Sequence, residues 1–293
     1  MSEAIAPHRA GIAAIVGPPN AGKSTLLNRI LGEKIAIVTA KPQTTRSKIL
    51  GILTEPGFQI LFLDTPGLHR SEKKLNQHLN ESVDQALADC DVALLLVDRT
   101  RAWSDTHTHL LETLERSRKP IIVVGTKSDL VHEQGAWRLD EAREHGSMAV
   151  SARTGEGIDA LLQRTVGHLP ESAPYYGDDE LTDRPMRWLA AELVREAAFE
   201  ALDQELPYEL AVEVVKFDES REDLISIRAN LIVRRNSQKR IVVGRGGEQI
   251  KAIGIRARQA IEALVGCHVH LDLWVKIEPR WLASKKRLES LGY

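Results

Sequence analysis

The chain has 293 residues, 43% of them apolar and 27% charged, too long for one ordinary domain and apolar enough to fill two cores. A formal net charge of −2 excludes a uniformly basic or acidic polyelectrolyte, and no run approaches the roughly 18 uninterrupted apolar residues of a membrane-spanning helix. Cys90 and Cys267 are far apart and lack metal-ligand spacing, which excludes a disulfide framework. With no apolar signal stretch in Met1 to Ala10, they imply a reduced, cytoplasmic setting.

After a tail over 1–10, the apolar run Ile12 to Val16 reads as a buried strand. It leads into Gly17-Pro18-Pro19-Asn20-Ala21-Gly22-Lys23-Ser24 and a helix from Ser24 to Leu31. The spacing G-x-x-x-x-G-K-[ST] is that of a phosphate-binding loop. Glycines let the backbone N–H groups curl inward onto a β-phosphate, Lys23 reaches the β- and γ-phosphates, and Ser24 offers a hydroxyl to Mg²⁺. Thr25 extends the same turn.

Next comes the polar loop Lys41 to Arg46, whose adjacent threonines Thr44 and Thr45 could complete a Mg²⁺ shell. Strand Gln59 to Leu63 ends in Asp64-Thr65-Pro66-Gly67. An acidic residue there can hold Mg²⁺, and the Gly67 N–H can meet a γ-phosphate. Further apolar runs, Val92 to Val97 and Ile121 to Val124, predict a mainly parallel sheet covered on both faces, with functional loops at the strand C-termini.

Thr126-Lys127-Ser128-Asp129 follows the last of these runs. A carboxylate at Asp129 accepts from guanine N1–H and N2–H₂ but faces an acceptor in adenine, a mismatch of roughly 2 to 5 kcal/mol. Lys127 lies along the base through its aliphatic stem, and Ser151, Ala152 and Arg153, after a further strand, offer N–H groups to the guanine carbonyl. These four motifs, in this order, resemble those of the translation-factor class of GTPases. The spellings at Gly17 to Ser24, Gln43 to Arg46 and Asp64 to His69 resemble the Era family in particular.

That resemblance implies a Ras-like α/β GTPase domain over 11–170 that hydrolyses GTP to GDP with Mg²⁺ held by Ser24, Thr45 and Asp64. Lys23, Thr45 and Gly67 would act in the reaction. The switch loops would lie at Ile35 to Lys48 and Thr65 to Asn80, with Thr45 the switch threonine and Thr44 its alternative. Asn20 would help hold K⁺ against the phosphates. Two residues depart from the pattern: Thr126 stands where this class usually has Asn, and Leu68 stands where Ras-like enzymes place a water-orienting Gln, so slow intrinsic hydrolysis is expected.

A proline-bearing, then acidic stretch over 171–184 reads as a linker. Beyond it the order becomes helix Met186 to Leu202, paired strands Leu210 to Phe217 and Leu224 to Val233, a helix around Glu248 to Val265, strand His268 to Ile277 and a basic terminal helix from Trp281. This is an α+β domain over 185–293. Gly244-Arg245-Gly246-Gly247 opens the Glu248 helix, with Arg234, Arg235, Lys239 and Arg240 upstream and Lys251 beyond. Such a glycine loop admits a sugar-phosphate backbone and resembles the loop of a type II KH domain.

Charge supports a polyanionic partner: Tyr175 to Ile227 holds five Lys/Arg against fifteen Asp/Glu, whereas Arg228 to Tyr293 holds fourteen against five. The resemblance makes that partner the single-stranded 3′ region of small-subunit ribosomal RNA and the process assembly of the small ribosomal subunit. An RNA chaperone with a structural nucleotide is the second reading. Weak peripheral binding of anionic lipid at the inner face of the membrane, through Ser284 to Arg287, is the third. His69, His107 and His109 read as surface residues, and the five tryptophans as core or interface anchors.

Overall fold

In the computed structural model, residues 8–41, 44, 46, 48–65, 87–131, 140 and 145–292 are described. The chain divides into two compact units, one of residues 1–36 and 45–183 and the other of residues 37–44 and 184–293.

The first unit is a six-stranded sheet in the order β2-β3-β1-β4-β5-β6. Its strands are β1 (Arg9–Val16), β2 (Ile49–Glu55), β3 (Phe58–Asp64), β4 (Val92–Asp98), β5 (Ile121–Thr126) and β6 (Ser147–Ala149). All neighbours pair in parallel except β2, which runs antiparallel to β3 across the tight Pro56-Gly57 turn. β4 is buried at every position, as expected of an apolar run covered on both faces. Helices α1 (Lys23–Leu31), α2 (Asp105–Ser117) and α3 (Ile158–Val166) bury apolar faces such as Leu26, Leu27 and Ile30 of α1.

The stretch read as a linker is tied down in this unit. Gln59, fully buried, accepts from the Tyr175 and Tyr176 N–H groups and donates to Tyr176 O, and Ile52 N–H donates to Leu181 O at 2.8 Å. His107 differs from its expected surface position. It is buried against Trp103 with Nδ1 2.8 Å from Ser104 Oγ, because it lies on the inner face of α2 with Leu110, Leu111 and Leu114. His109 is exposed, and His69 lies outside the described residues.

The second unit begins with helix α4 (Met186–Ala201), followed by strands β7 (Ala211–Arg221) and β8 (Leu224–Val233). Helices α5 (Asn236–Val243) and α6 (Glu248–Val265), strand β9 (His268–Ile277) and helix α7 (Lys285–Ser290) complete it. β8 is central, antiparallel to β7 and parallel to β9, so the link between β8 and β9 must cross over, and α5 and α6 supply the crossover. The core joins Leu193 and Ala197 of α4, Ile253, Ala257 and Ile261 of α6, and Val212, Ile227 and Leu231 of the sheet. Within this unit the 37–44 segment is held by α4: Val38 N–H donates to Glu196 Oε1 at 2.8 Å, and Lys41 Nζ to Phe199 O at 2.7 Å. Trp281 is buried, whereas Trp274 of β9 is 61% exposed.

The end of the chain is locked to the sheet by Arg287. Its Nη1 donates to Glu213 Oε1 at 2.7 Å, while Nε and Nη2 donate to the two oxygens of Glu278 at 2.9 and 3.1 Å. These bonds from Arg287 lower the Glu213 pKa despite burial. At Glu278 burial pushes up, but the bonds from Arg287 and Lys276 outweigh it. Both carboxyls titrate lower when folded, so the stabilisation is present above the ordinary glutamate pKa of about 4.3 and is lost as pH falls through the folded values. Replacing Arg287 by Met should cost about 2 kcal/mol at pH 7 and much less at pH 3.5. Amide hydrogen exchange in β7, compared with the parent protein at each pH, measures it; an equal effect at both pH values would show that the ion pairs contribute nothing.

Candidate functional site

Parallel strands β1, β3, β4 and β5 deliver their C-terminal ends to one edge of the sheet, and the chain leaves β1 between its neighbours β3 and β4. A crevice at such a reversal of strand order is where open α/β sheets place ligands. Gly17 must be glycine, since a Cβ there would stand 2.8 Å from Leu96 O. Gly22 caps α1 in the left-handed region at φ 91° and supplies no side-chain acceptor, which leaves the first-turn N–H groups of α1 for an anion. Asn20 also has a left-handed backbone, φ 64°, while Thr25 is exposed on the first turn.

Lys23 is buried and donates from Nζ to Gly17 O and Pro18 O at 2.9 Å each, so the ammonium is folded back along the loop it serves. Burial pulls its pKa down to about 8, against the attraction of Asp64. Asp64, at the end of β3, is fully buried; burial pushes its carboxyl up to about 6, against Lys23 and the Ser24 hydrogen bond. Ser24 Oγ donates to Asp64 Oδ2 at 2.6 Å, and Asp64 Oδ1 has no hydrogen-bond partner. A buried, unpartnered carboxylate oxygen beside a hydroxyl is a hard oxygen donor set, and it fits Mg²⁺.

The predicted residues Thr45, Pro66, Gly67 and Leu68 lie outside the described residues. Thr44, the alternative switch threonine, has its hydroxyl engaged at 2.7 Å with Thr39 Oγ1 and at 2.8 Å with Lys41 O. Thr65 donates its hydroxyl to Ile15 O at 2.9 Å, a bond that joins β3 to β1.

The base-side loops converge on Asp129. Its Oδ1 accepts from Ser151 Oγ at 2.7 Å, and Oδ2 lies 3.0 Å from Arg153 Nε, whose side chain is mostly exposed. Ser151 N–H is committed to Glu156 O at 3.0 Å. Lys127 has a left-handed backbone, φ 59°, and is fixed by Asp98, a residue that motif reading missed: Nζ donates to Asp98 Oδ2 at 2.7 Å. Thr100 donates twice to Asp98 Oδ1. Burial pushes the Asp98 pKa up, but the bonds from Lys127 and Thr100 outweigh it and the net shift is downward. The signal was present in sequence, since Asp98 ends an apolar strand as Asp64 does. Thr126 is buried at the end of β5 and donates Oγ1–H to Ala21 O at 2.8 Å.

In the second unit, Gly244, Gly246 and Gly247 all have left-handed φ, at 75°, 61° and 86°. A Cβ on Gly244 would stand 2.6 Å from Gln249 Cβ, whereas one on Gly246 or Gly247 would meet nothing, so the loop crest is open to an approaching backbone. Arg245 is exposed on that crest, and Gly247 caps α6 with no side-chain acceptor, as Gly22 does for α1.

Beside the loop runs a groove of about 300 Å³ with Ile250, Gly254, Leu271 and Leu273 as its apolar wall and Lys251 and Arg258 at its rim. The β9 wall was not read as a site from sequence, because an alternating strand does not announce which face lines a groove. Arg235, Lys239, Arg240, Arg245 and Lys251 have no acidic partner among the described residues. Arg234 is drawn to Glu209 at 2.8 Å and Arg258 to Glu262 at 2.8 Å. Arg287, counted with the terminal basic cluster, is consumed by Glu213 and Glu278.

Comparison with known proteins agrees with this geometry. Residues 12–127 match the family model of the 50S ribosome-binding GTPase, and residues 205–282 match that of the KH domain. The chain is 42% identical to GTPase Era of Pseudomonas putida KT2440, over 98% of this chain and 97% of that protein. It is 43% identical to GTPase Era of Pseudomonas fluorescens Pf-5, over 97% of each. The crystal structure of a single-residue variant of Aquifex aeolicus Era bound to GDP·AlF₄⁻ has a TM-score of 0.90 and 34% identity, covering 97% of this chain and 99% of that one. Era in complex with MgGDPNP and nucleotides 1506–1542 of 16S ribosomal RNA has a TM-score of 0.89 and 34% identity, covering 98% and 99%.

Asp129→Asn should shift preference from guanine to xanthine nucleotides, because the N2–H₂ donor is then exchanged for a carbonyl to which the new amide can donate. Competition binding of GTP against XTP reads this, and retained GTP preference would remove Asp129 from base recognition.

Proposed function

The chain belongs to the Era family of GTPases, and on that premise we propose that it is a GTP-driven switch that holds the single-stranded 3′ region of 16S ribosomal RNA and assists assembly of the small ribosomal subunit and maturation of its RNA. GTP hydrolysis belongs to a GTPase domain over 11–170, and RNA binding to a type II KH domain over 185–293, with 171–184 between them. The reading is supported by the solved relative that carries both MgGDPNP and 16S RNA, and by the glycine crest of Gly244 to Gly247 beside an apolar groove and unpaired cations. Such a combination suits unstacked bases on an apolar wall with their phosphates along the loop.

In the GTPase domain, Gly17 to Thr25 cradle the phosphates, and Ser24 and Asp64, with Thr45, would hold Mg²⁺, which would neutralise phosphate charge when bound. Lys23 compensates the charge that develops on the transferred phosphoryl group, and the Gly67 N–H meets the γ-phosphate. Asp129 reads the guanine edge, Lys127 flanks the base, and Ala152 donates to its carbonyl, since the Ser151 N–H is already used. Leucine at position 68 cannot polarise water, so intrinsic turnover is slow. The protein acts in the cytoplasm, where its RNA is; any hold on anionic lipid through Lys285 and Lys286 is secondary, with Arg287 already paired.

Asn20, on a left-handed turn of the phosphate loop, is placed to help hold a monovalent cation against the β- and γ-phosphates and supply charge that an arginine finger otherwise brings. Hydrolysis should be several-fold faster in K⁺ than in Na⁺, and Asn20→Ala should abolish the difference. Equal rates of the parent protein in the two salts would dismiss the cation.

The RNA assignment is tested by replacing Arg245 and Gly246 together with Asp, which sets two carboxylates and extra Cβ bulk where phosphates pass. Affinity for an RNA of nucleotides 1506–1542 should fall tenfold or more, about 1.4 kcal/mol, while GTP affinity is unchanged. Full RNA affinity in a variant that is folded by circular dichroism would mean that the crest is only a turn.

A further inference from the structure

We propose that this chain recognises guanine without a side-chain hydrogen bond to N7, because Thr126 spends its one proton holding the base-reading loop to the phosphate loop. The inference rests on the assignment of Thr126 to Asp129 as the guanine-binding motif.

A threonine hydroxyl has a single hydrogen to give. Here it points at Ala21 O, 2.8 Å away, and the next acceptor in reach is Val97 O at 3.3 Å. Both neighbours are carbonyls, which accept and cannot donate. Thr126 is buried and its backbone is fixed by pairing with Asp98 in the β5–β4 ladder, so neither the main chain nor a β-branched side chain has room to swing. Turning the proton toward N7 would set the hydroxyl lone pairs against Ala21 O and leave that carbonyl without this donor.

An asparagine, usual at this place in the class, has two amide hydrogens and can serve the loop and N7 together. Threonine retains the first bond and forgoes the second. The Gly22 position makes the same tether compact, since a Cβ there would stand 3.8 Å from the Thr126 side chain. Thr126 is therefore a positioning residue that acts through Ala21, and base selection falls to the edge read by Asp129.

The test uses GDP and 7-deaza-GDP, in which a C–H replaces N7, on the full chain. The parent protein should bind the two within twofold of one another. Thr126→Val, which keeps the shape and removes the proton, should weaken both by the same factor, threefold or more. Thr126→Ser should restore most of the affinity for both. Thr126→Asn should create a preference for GDP over 7-deaza-GDP of fivefold or more.

A parent protein that already prefers GDP fivefold, or a Val variant that binds both nucleotides as tightly as the parent, would overturn the proposal while leaving guanine recognition intact. A parent protein that binds ADP as well as GDP would overturn the guanine-binding motif and this inference with it.

Discussion

The first unit is organised around two opposite charges that burial disfavours, Lys23 at the start of α1, which follows β1, and Asp64 at the end of the adjacent strand β3. Burial moves both pKa values toward neutrality, to about 8 and about 6, by more than their mutual attraction moves them back. A carbonyl pair, Gly17 O and Pro18 O, and one hydroxyl, Ser24 Oγ, compensate only in part. Under the proposed function, a polyphosphate beside Lys23 and a divalent cation beside Asp64 would supply the missing partners, so that nucleotide binding would favour the charges that folding disfavours.

The second unit solves a related problem with the same local device. Helices α1 and α6 both begin at a glycine in the left-handed region, Gly22 and Gly247, where a Ser or Asp cap would satisfy the first-turn N–H groups itself. Leaving those donors uncapped costs helix stability and creates an anion site. What surrounds each glycine then decides the ligand. Gly17, closed in by Leu96 O, and the buried Lys23 would, under the proposed function, enclose one polyphosphate. The open crest at Gly246 and the shallow groove of Ile250 and Leu273 suit a chain that passes across.

Both folds were legible because hydrophobic periodicity and glycine spacing are local. Continuous apolar runs marked β3, β4 and β5, and the position of Asp64 and Asp129 behind such runs placed them at one edge. Pairings between residues distant in sequence were not legible. Nothing local marks Asp98 as the anchor of Lys127, Thr126 as a donor to Ala21, Arg287 as a lock on Glu213 or Gln59 as the clasp on Tyr175 and Tyr176. Each is a side-chain contact across 29 to 117 residues that has no period. The antiparallel edge strand β2 escaped for a different reason: Gly51 splits its apolar residues into the pairs Ile49-Leu50 and Ile52-Leu53, each too short to mark a strand. His107, without ligand spacing, reads as a surface residue, whereas the buried side of α2 runs through His107, Leu110, Leu111 and Leu114.

Charge counting shows how sequence and structure can agree in sign and differ in meaning. Fourteen Lys/Arg after Ile227 suggest a strongly basic RNA-binding surface. Yet Arg228 is paired with Asp272, Arg234 with Glu209, Arg256 with Glu200, Arg258 with Glu262, Lys276 with Glu278 and Arg287 with Glu213 and Glu278. An arginine that already has a carboxylate partner must exchange one ion pair for another on meeting a phosphate, so it adds little attraction. The cations left around the glycine crest are Arg235, Lys239, Arg240, Arg245 and Lys251, all within seventeen residues of chain. Counterion release from single strands scales with the phosphates neutralised, about 0.7 per contact in the logarithmic salt slope. Under the proposed function, the steepness of RNA binding would be set by this small cluster beside the loop. Arg280, Lys285 and Lys286 lie apart from the loop in sequence, so under the proposed function the cluster beside the crest would hold one short stretch of backbone where the apolar groove can sample the bases.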